Sequence, residues 1–155
     1  MKRRTVSVLA VVGFVLGVAM PAAFAQSYRT SPIKVFGHST SCTLGIGSIN
    51  DTTHKAGTQT VNRVGCNVNN APKAVPANRM YAHASLYRTG TSYMCGEAGR
   101  WNTTSMATLT VTADLKVSPV CPANGTYYAV SSHARIADSG ASYVEYRQTG
   151  SYKFR

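Results

Sequence analysis

From residue 26 onward the chain carries almost no helical periodicity; its apolar positions recur every second residue in short stretches, the signature of half-buried strands. Met80 to Arg88 alternates, with Met80, Ala82, Ala84 and Leu86 on one face and Tyr81, His83, Ser85 and Tyr87 on the other. Ala107 to Ala113 sets Ala107, Leu109, Val111 and Ala113 against Thr108, Thr110 and Thr112. Tyr127 to Ala137 reads as a strand with Tyr128, Val130, Ala134 and Ile136 as its apolar side. Thr58 to Val64, Ser142 to Arg147 and Ser151 to Phe154 complete the set. Arg88-Thr89-Gly90 and Asp138-Ser139-Gly140 suit hairpin turns, where glycine supplies a positive φ. Asn69 to Asn78, with Pro72 and Pro76, reads as a loop. The pattern predicts an all-β domain, a compact antiparallel two-sheet sandwich or small barrel of about seven to nine strands.

One segment breaks this pattern. Lys2, Arg3 and Arg4 precede an uncharged apolar run from Thr5 to Met20, and Ala23-Phe24-Ala25 follows Pro21. A basic start, an apolar run too short to span a bilayer and a small-x-small site predict a signal peptide, residues 1–25, that is cleaved on export. The expected mature chain, 26–155, is a single secreted domain with no membrane span. Its 130 residues suffice for one core.

Export gives the four cysteines their meaning. Cys42, Cys66, Cys95 and Cys121 read as two disulfides, for which three pairings exist. The spacing favours Cys42 with Cys66 and Cys95 with Cys121, because short loops cost less entropy to close. A faint repeat points the same way. Tyr81-Ala82-x-x-Ser85-x-x-Arg88 matches Tyr128-Ala129-x-x-Ser132-x-x-Arg135, which suggests two pseudo-repeats, about 42–94 and 95–147. The alignment conflicts with the faces assigned above, since it sets Tyr81, His83 and Tyr87 on the side of Tyr128, Val130 and Ala134. A one-residue slip reverses every side chain.

Losing Lys2, Arg3 and Arg4 leaves 13 Lys and Arg against 5 Asp and Glu, a net charge of +8. Such a surface attracts anionic polymers in a salt-sensitive way, although the cations stand singly rather than in runs. No catalytic motif emerges. His38, His54, His83 and His133 show no metal-ligand spacing, and no cofactor is implied. No nucleophile elbow or phosphate-cradling loop occurs. Asn50-Asp51-Thr52, Asn102-Thr103-Thr104 and Asn124-Gly125-Thr126 fit the N-glycosylation pattern.

Aromatic residues are the most informative polar-tipped groups. Nine tyrosines and Trp101 sit among dispersed cations, a combination that stacks sugars or bases or anchors an interface. Tyr81, Tyr87, Arg88, Trp101, Arg135 and Arg147 are the candidate binding residues. The expected function is a secreted non-enzymatic binding protein, its partner an anionic polymer, a glycan or another protein, or an exported inhibitor or toxin. The alternative is a small secreted hydrolase assembled from separated residues such as His83, His133 and Glu145.

Overall fold

The computed structural model describes residues 27–155. The segment read as an export signal lies outside the described residues. Two five-stranded antiparallel sheets pack face to face, and no helix occurs among the described residues. The first sheet contains β1 (Ser27–Arg29), β2 (Ile33–His38), β3 (Ser41–Asn50), β4 (Lys55–Arg63) and β7 (Thr108–Asp114). Its order is β1-β3-β4-β7, with β2 sharing the outer edge of β3. The second contains β5 (Met80–Arg88), β6 (Met94–Trp101), β8 (Thr126–Ile136), β9 (Ser142–Gln148) and β10 (Tyr152–Lys153). Its order is β10-β8-β5-β6, with β9 sharing the outer edge of β8. The architecture is a sandwich, not a closed barrel, and its ten strands exceed the number expected.

Both anticipated hairpin turns form. Gly90 (φ 76°) closes β5 to β6, and Gly140 (φ 87°) closes β8 to β9. The disulfides are Cys42–Cys66 and Cys95–Cys121, with Cα separations of 5.0 and 5.6 Å. The first ties the start of β3 to the loop after β4, under which Leu44 and Val61 are buried against Val68. The second ties β6 to the loop before β8. The two suggested repeats do not map onto the two sheets. Residues 42–94 supply β3 and β4 to one sheet and β5 to the other, and residues 95–147 place β7 in the first sheet with β8, β9 and nearly all of β6 in the second.

The inward face of β5 is the apolar one, Met80, Ala82, Ala84 and Leu86, and β7 turns Leu109, Val111 and Ala113 inward. For β8 the expected face is reversed. Tyr127, Ala129, Ser131, His133 and Arg135 face the first sheet, while Tyr128, Val130, Ala134 and Ile136 face outward; of these Ala134 is buried and the other three are only half-buried. The cause is register: Leu86 pairs with Ala129 and Met80 with Arg135, and paired residues share a side. The repeat alignment, which put Tyr81 and Tyr128 on one side, agrees with these faces.

The interior has three apolar regions, one around Ile49, Leu86, Tyr127 and Phe154, one around Val75, Met80 and Leu109, and a smaller one of Cys42, Leu44 and Val61. Between the first two runs a polar seam. Thr60 donates its hydroxyl proton to the Tyr81 carbonyl at 2.9 Å, so its oxygen accepts from His133 Nδ1–H, also at 2.9 Å. That fixes the imidazole tautomer and leaves Nε2 as an acceptor 3.0 Å from Ser131 Oγ, whose one proton is shared with the Arg147 carbonyl at 3.3 Å. His133 has no exposed surface, and burial pushes its pKa down to about 4. Asn102, equally buried, pins the loop before β5. Its Oδ1 accepts from the amides of Arg79 and Met80, and its Nδ2 donates to the carbonyls of Val75, Pro76 and Thr104. An amide so enclosed is no glycan acceptor in the folded protein.

Candidate functional site: the aromatic face of the second sheet

The outward side chains of β6, β5, β8 and β9 make a broad surface on the second sheet. At one end Tyr81 on β5 pairs with Trp101 on β6, their ring centroids 5.1 Å apart. At the other, Tyr87 stacks on Tyr128 of β8, with centroids 5.5 Å apart and an interplanar angle of 16°. Six residues of extended chain separate Tyr81 from Tyr87, roughly 20 Å. Tyr146, on β9 opposite Ser132, stands further across the sheet and is 63% exposed. Trp101 is 38% exposed, so it is a surface group.

The rings are held close to the sheet by a missing side chain. Gly99 lies opposite His83, and a Cβ there would sit 2.6 Å from the Tyr81 hydroxyl and 2.5 Å from the His83 ring. Without it, Tyr81 and His83 fold down over β6 with their planes within 14° of one another. The result is a low aromatic shelf beside Trp101 in place of upright side chains.

Between the aromatic ends lies a polar strip. Ser85 Oγ is 3.3 Å from His83 Nδ1, and His83 Nε2 is 3.8 Å from Glu97 Oε2. The order hydroxyl, imidazole, carboxylate resembles a nucleophilic relay only on paper. Acyl transfer also needs N–H donors aimed at a developing oxyanion, and β5 is a central strand whose backbone is committed to ladders with both β6 and β8. Glycoside hydrolysis generally needs two carboxyl groups across the scissile bond, and Glu97 is the one acid among the outward positions of β5, β6, β8 and β9. The strip holds the polar atoms of His83 and Glu97 at the surface, with Ser85 buried beneath them.

The electrostatics of this face are unlike those of the whole chain. Arg88, Arg100, Arg135 and Arg147 all occupy positions on the opposite side of their strands. The outward positions of β5, β6, β8 and β9 hold neither lysine nor arginine, and Lys153 on β10 reaches only the corner beside Thr126. Of the six candidate binding residues, the structure brings Tyr81, Tyr87 and Trp101 onto one surface and sets the three arginines apart from it. Arg88 donates to the Val120 carbonyl, Arg147 lines a hollow beside Tyr28 and Tyr152, and Arg135 is buried at the sheet end. The group His83, His133 and Glu145 does not converge, since His83 is outward and His133 is in the core.

Tyr128, Tyr146, Glu97 and Gly99 were not picked out from the sequence. The alternation of β8 reads Tyr128 as a core residue, and its match to Tyr81 in the repeat is the signal that points outward. No known protein family, curated protein or solved structure matches the chain. Among the described residues no cluster of His, Cys, Asp and Glu is placed to hold a metal ion, and no helix is long and apolar enough to cross a membrane.

Proposed function

We propose that the protein is an exported glycan-binding module, and that the outward face of the second sheet is its binding platform for neutral sugar chains. One observation carries this reading: aromatic rings lie at both ends of a face without strand lysines or arginines, in a chain with a large surplus of cations. Sugar rings present apolar C–H faces that stack on aromatic rings, and their hydroxyls bond to neutral polar groups. Trp101 with Tyr81 and Tyr87 with Tyr128 provide the stacking ends, and His83 and Glu97 provide the polar middle. The platform runs along the strands for roughly 20 Å, which suits several sugar units in a row rather than one. The two disulfides are consistent with work outside the cell, the compartment the leader sequence predicts.

An anionic polymer is the less favoured partner, because Glu97 would repel it and the arginines face elsewhere. The experiment is co-sedimentation of the protein with insoluble neutral polysaccharides, cellulose and chitin among them, at low and at high salt. Retention that is unchanged by salt supports the platform. Retention only on anionic polymers, lost as salt rises, points to the dispersed cations instead.

A further inference from the structure

A second site is built at the edge of the sandwich opposite β6 and β7, on the side of β9 turned away from the aromatic face. A cleft of about 300 Å³ opens there, bounded by the end of β1, the chain that links it to β2, the end of β9 and β10. Each sheet sends one arginine to it, Arg29 from β1 and Arg147 from β9. Tyr28 and Tyr152 stack between the two sheets with ring centroids 3.7 Å apart, and this pair holds the two walls together.

Neither guanidinium is used by the fold. The ion pairs among the described residues are Lys55 with Asp114 and His83 with Glu97, and no side-chain hydrogen bond there involves Arg29 or Arg147. Arg29 is exposed. Arg147 is half-buried with its Nε shut in, and its two terminal nitrogens, equally without protein partners, stay open to solvent. No Asp or Glu lines the cleft. Glu145, two positions before Arg147 on the same side of β9, is not part of the wall and forms no ion pair with it. Two guanidinium groups that share a cleft repel each other, and an anion between them turns that repulsion into two attractions. The neighbouring polar groups are donors too. Thr30 Oγ1 accepts the Gly47 amide at 2.9 Å, which leaves its own proton to give, and Ser31 and Gln148 present an exposed hydroxyl and an exposed amide.

We propose that this cleft binds a phosphate monoester, its dianion held between Arg29 and Arg147. A phosphate monoester carries about 1.5–2 negative charges at neutral pH, which matches two guanidinium groups where a carboxylate matches one. Each planar guanidinium fork can meet two oxygens, and Thr30, Ser31 and Gln148 supply donors for what the arginines leave. The cleft is larger than a phosphate group, so part of the esterified molecule enters with it.

The test uses the folded, disulfide-bonded protein, with inorganic phosphate and acetate titrated separately at an ionic strength held constant with chloride. Nuclear magnetic resonance follows the backbone amides of Ser31 and Gln148 at the cleft, and those of Ser48 and Thr112 at a shallower hollow over Gly57 that Arg29 also borders. Phosphate should move the Ser31 and Gln148 signals saturably and bind about tenfold or more tightly than acetate. Arg29→Ala and Arg147→Ala should each weaken phosphate binding about tenfold. Lys116→Ala removes an exposed cation beside β6, at the far edge, and should leave binding unchanged. If Arg147→Ala does not fold, Arg29→Ala against Lys116→Ala decides the matter, since both positions are exposed. Shifts that never saturate, acetate binding as tight as phosphate binding, or equal losses in Arg29→Ala and Lys116→Ala overturn the proposal. So do shifts at Ser48 and Thr112 without shifts at Ser31 and Gln148.

Discussion

Gly45 on β3 lies directly against His133 on β8, so closely that a Cβ at Gly45 would fall 2.4 Å from the imidazole. The two sheets approach here because one residue has no side chain and the other fills the space. His133 cannot move aside, being enclosed and bonded to Thr60 and Ser131. Gly45→Ala should therefore destabilise the fold by about 1–3 kcal/mol or more, the usual cost of overpacking. Chemical denaturation of the two proteins measures it, and a change near zero would mean the sheets can separate locally without loss.

The same histidine sets a pH dependence. Its pKa falls from 6.5 to about 4 on folding, so between those values the unfolded chain binds a proton that the native state refuses. Stability should be full above about pH 6.5, decline as pH drops toward 4, and lose nothing further from this group below that. The shift corresponds to about 3 kcal/mol at its full extent. An imidazole titration followed by nuclear magnetic resonance should find His133 neutral at pH 5. A midpoint near 6.5 would show the ring to be hydrated and the seam to be open.

This polar seam also explains which parts of the fold were legible in the sequence. β5 and β7 alternate plainly because their inward residues, such as Leu86 and Val111, are apolar, and the turns at Gly90 and Gly140 announce themselves. β8 misled because its inward face carries Ser131, His133 and Arg135, each satisfied or set by partners far away in the chain. Its outward face carries Tyr128, Val130 and Ile136, which look like core. β3 went unread because Gly45 and Gly47 hold positions where an alternating strand would show side chains, and their reason is the bulk of β8 opposite. The aromatic face is half visible in the sequence: its tyrosines stand out, but the separation of its rings from the arginines depends on strand register.

Asn102 should be among the least replaceable polar residues. Asn102→Ala leaves the amides of Arg79 and Met80, the carbonyls of Val75 and Pro76 before β5, and the carbonyl of Thr104 after β6 without their side-chain partner. The expected loss is about 3 kcal/mol or more, read as a fall in the denaturation midpoint. Loss within experimental scatter would mean water replaces the amide fully.

The Cys95–Cys121 bridge closes a loop of 26 positions and anchors the segment between β7 and β8 to β6. Replacing both cysteines by alanine should cost about 3–4 kcal/mol on the loop-entropy account. Cys95 adjoins Met94, which pairs with Tyr87, so in the remaining folded fraction ligand binding should weaken at the Tyr87–Tyr128 end and be retained at the Tyr81–Trp101 end. Binding lost in step with the bridge would tie the platform to that loop.

The central claim is that the aromatic face binds neutral glycan. Isothermal titration of cellohexaose, chitohexaose and xylohexaose into the native protein and two variants tests it most directly. Trp101→Ala removes an exposed ring without opening the core, and Arg147→Ala removes a cation on the other side of the sheet. The account predicts that at least one oligosaccharide binds equally well at low and high salt. It predicts that Trp101→Ala weakens this binding about tenfold or more, each factor of ten being 1.4 kcal/mol, and that Arg147→Ala leaves it unchanged. Binding that survives Trp101→Ala but disappears with Arg147→Ala or with added salt would contradict it, as would no binding by any of the three sugars.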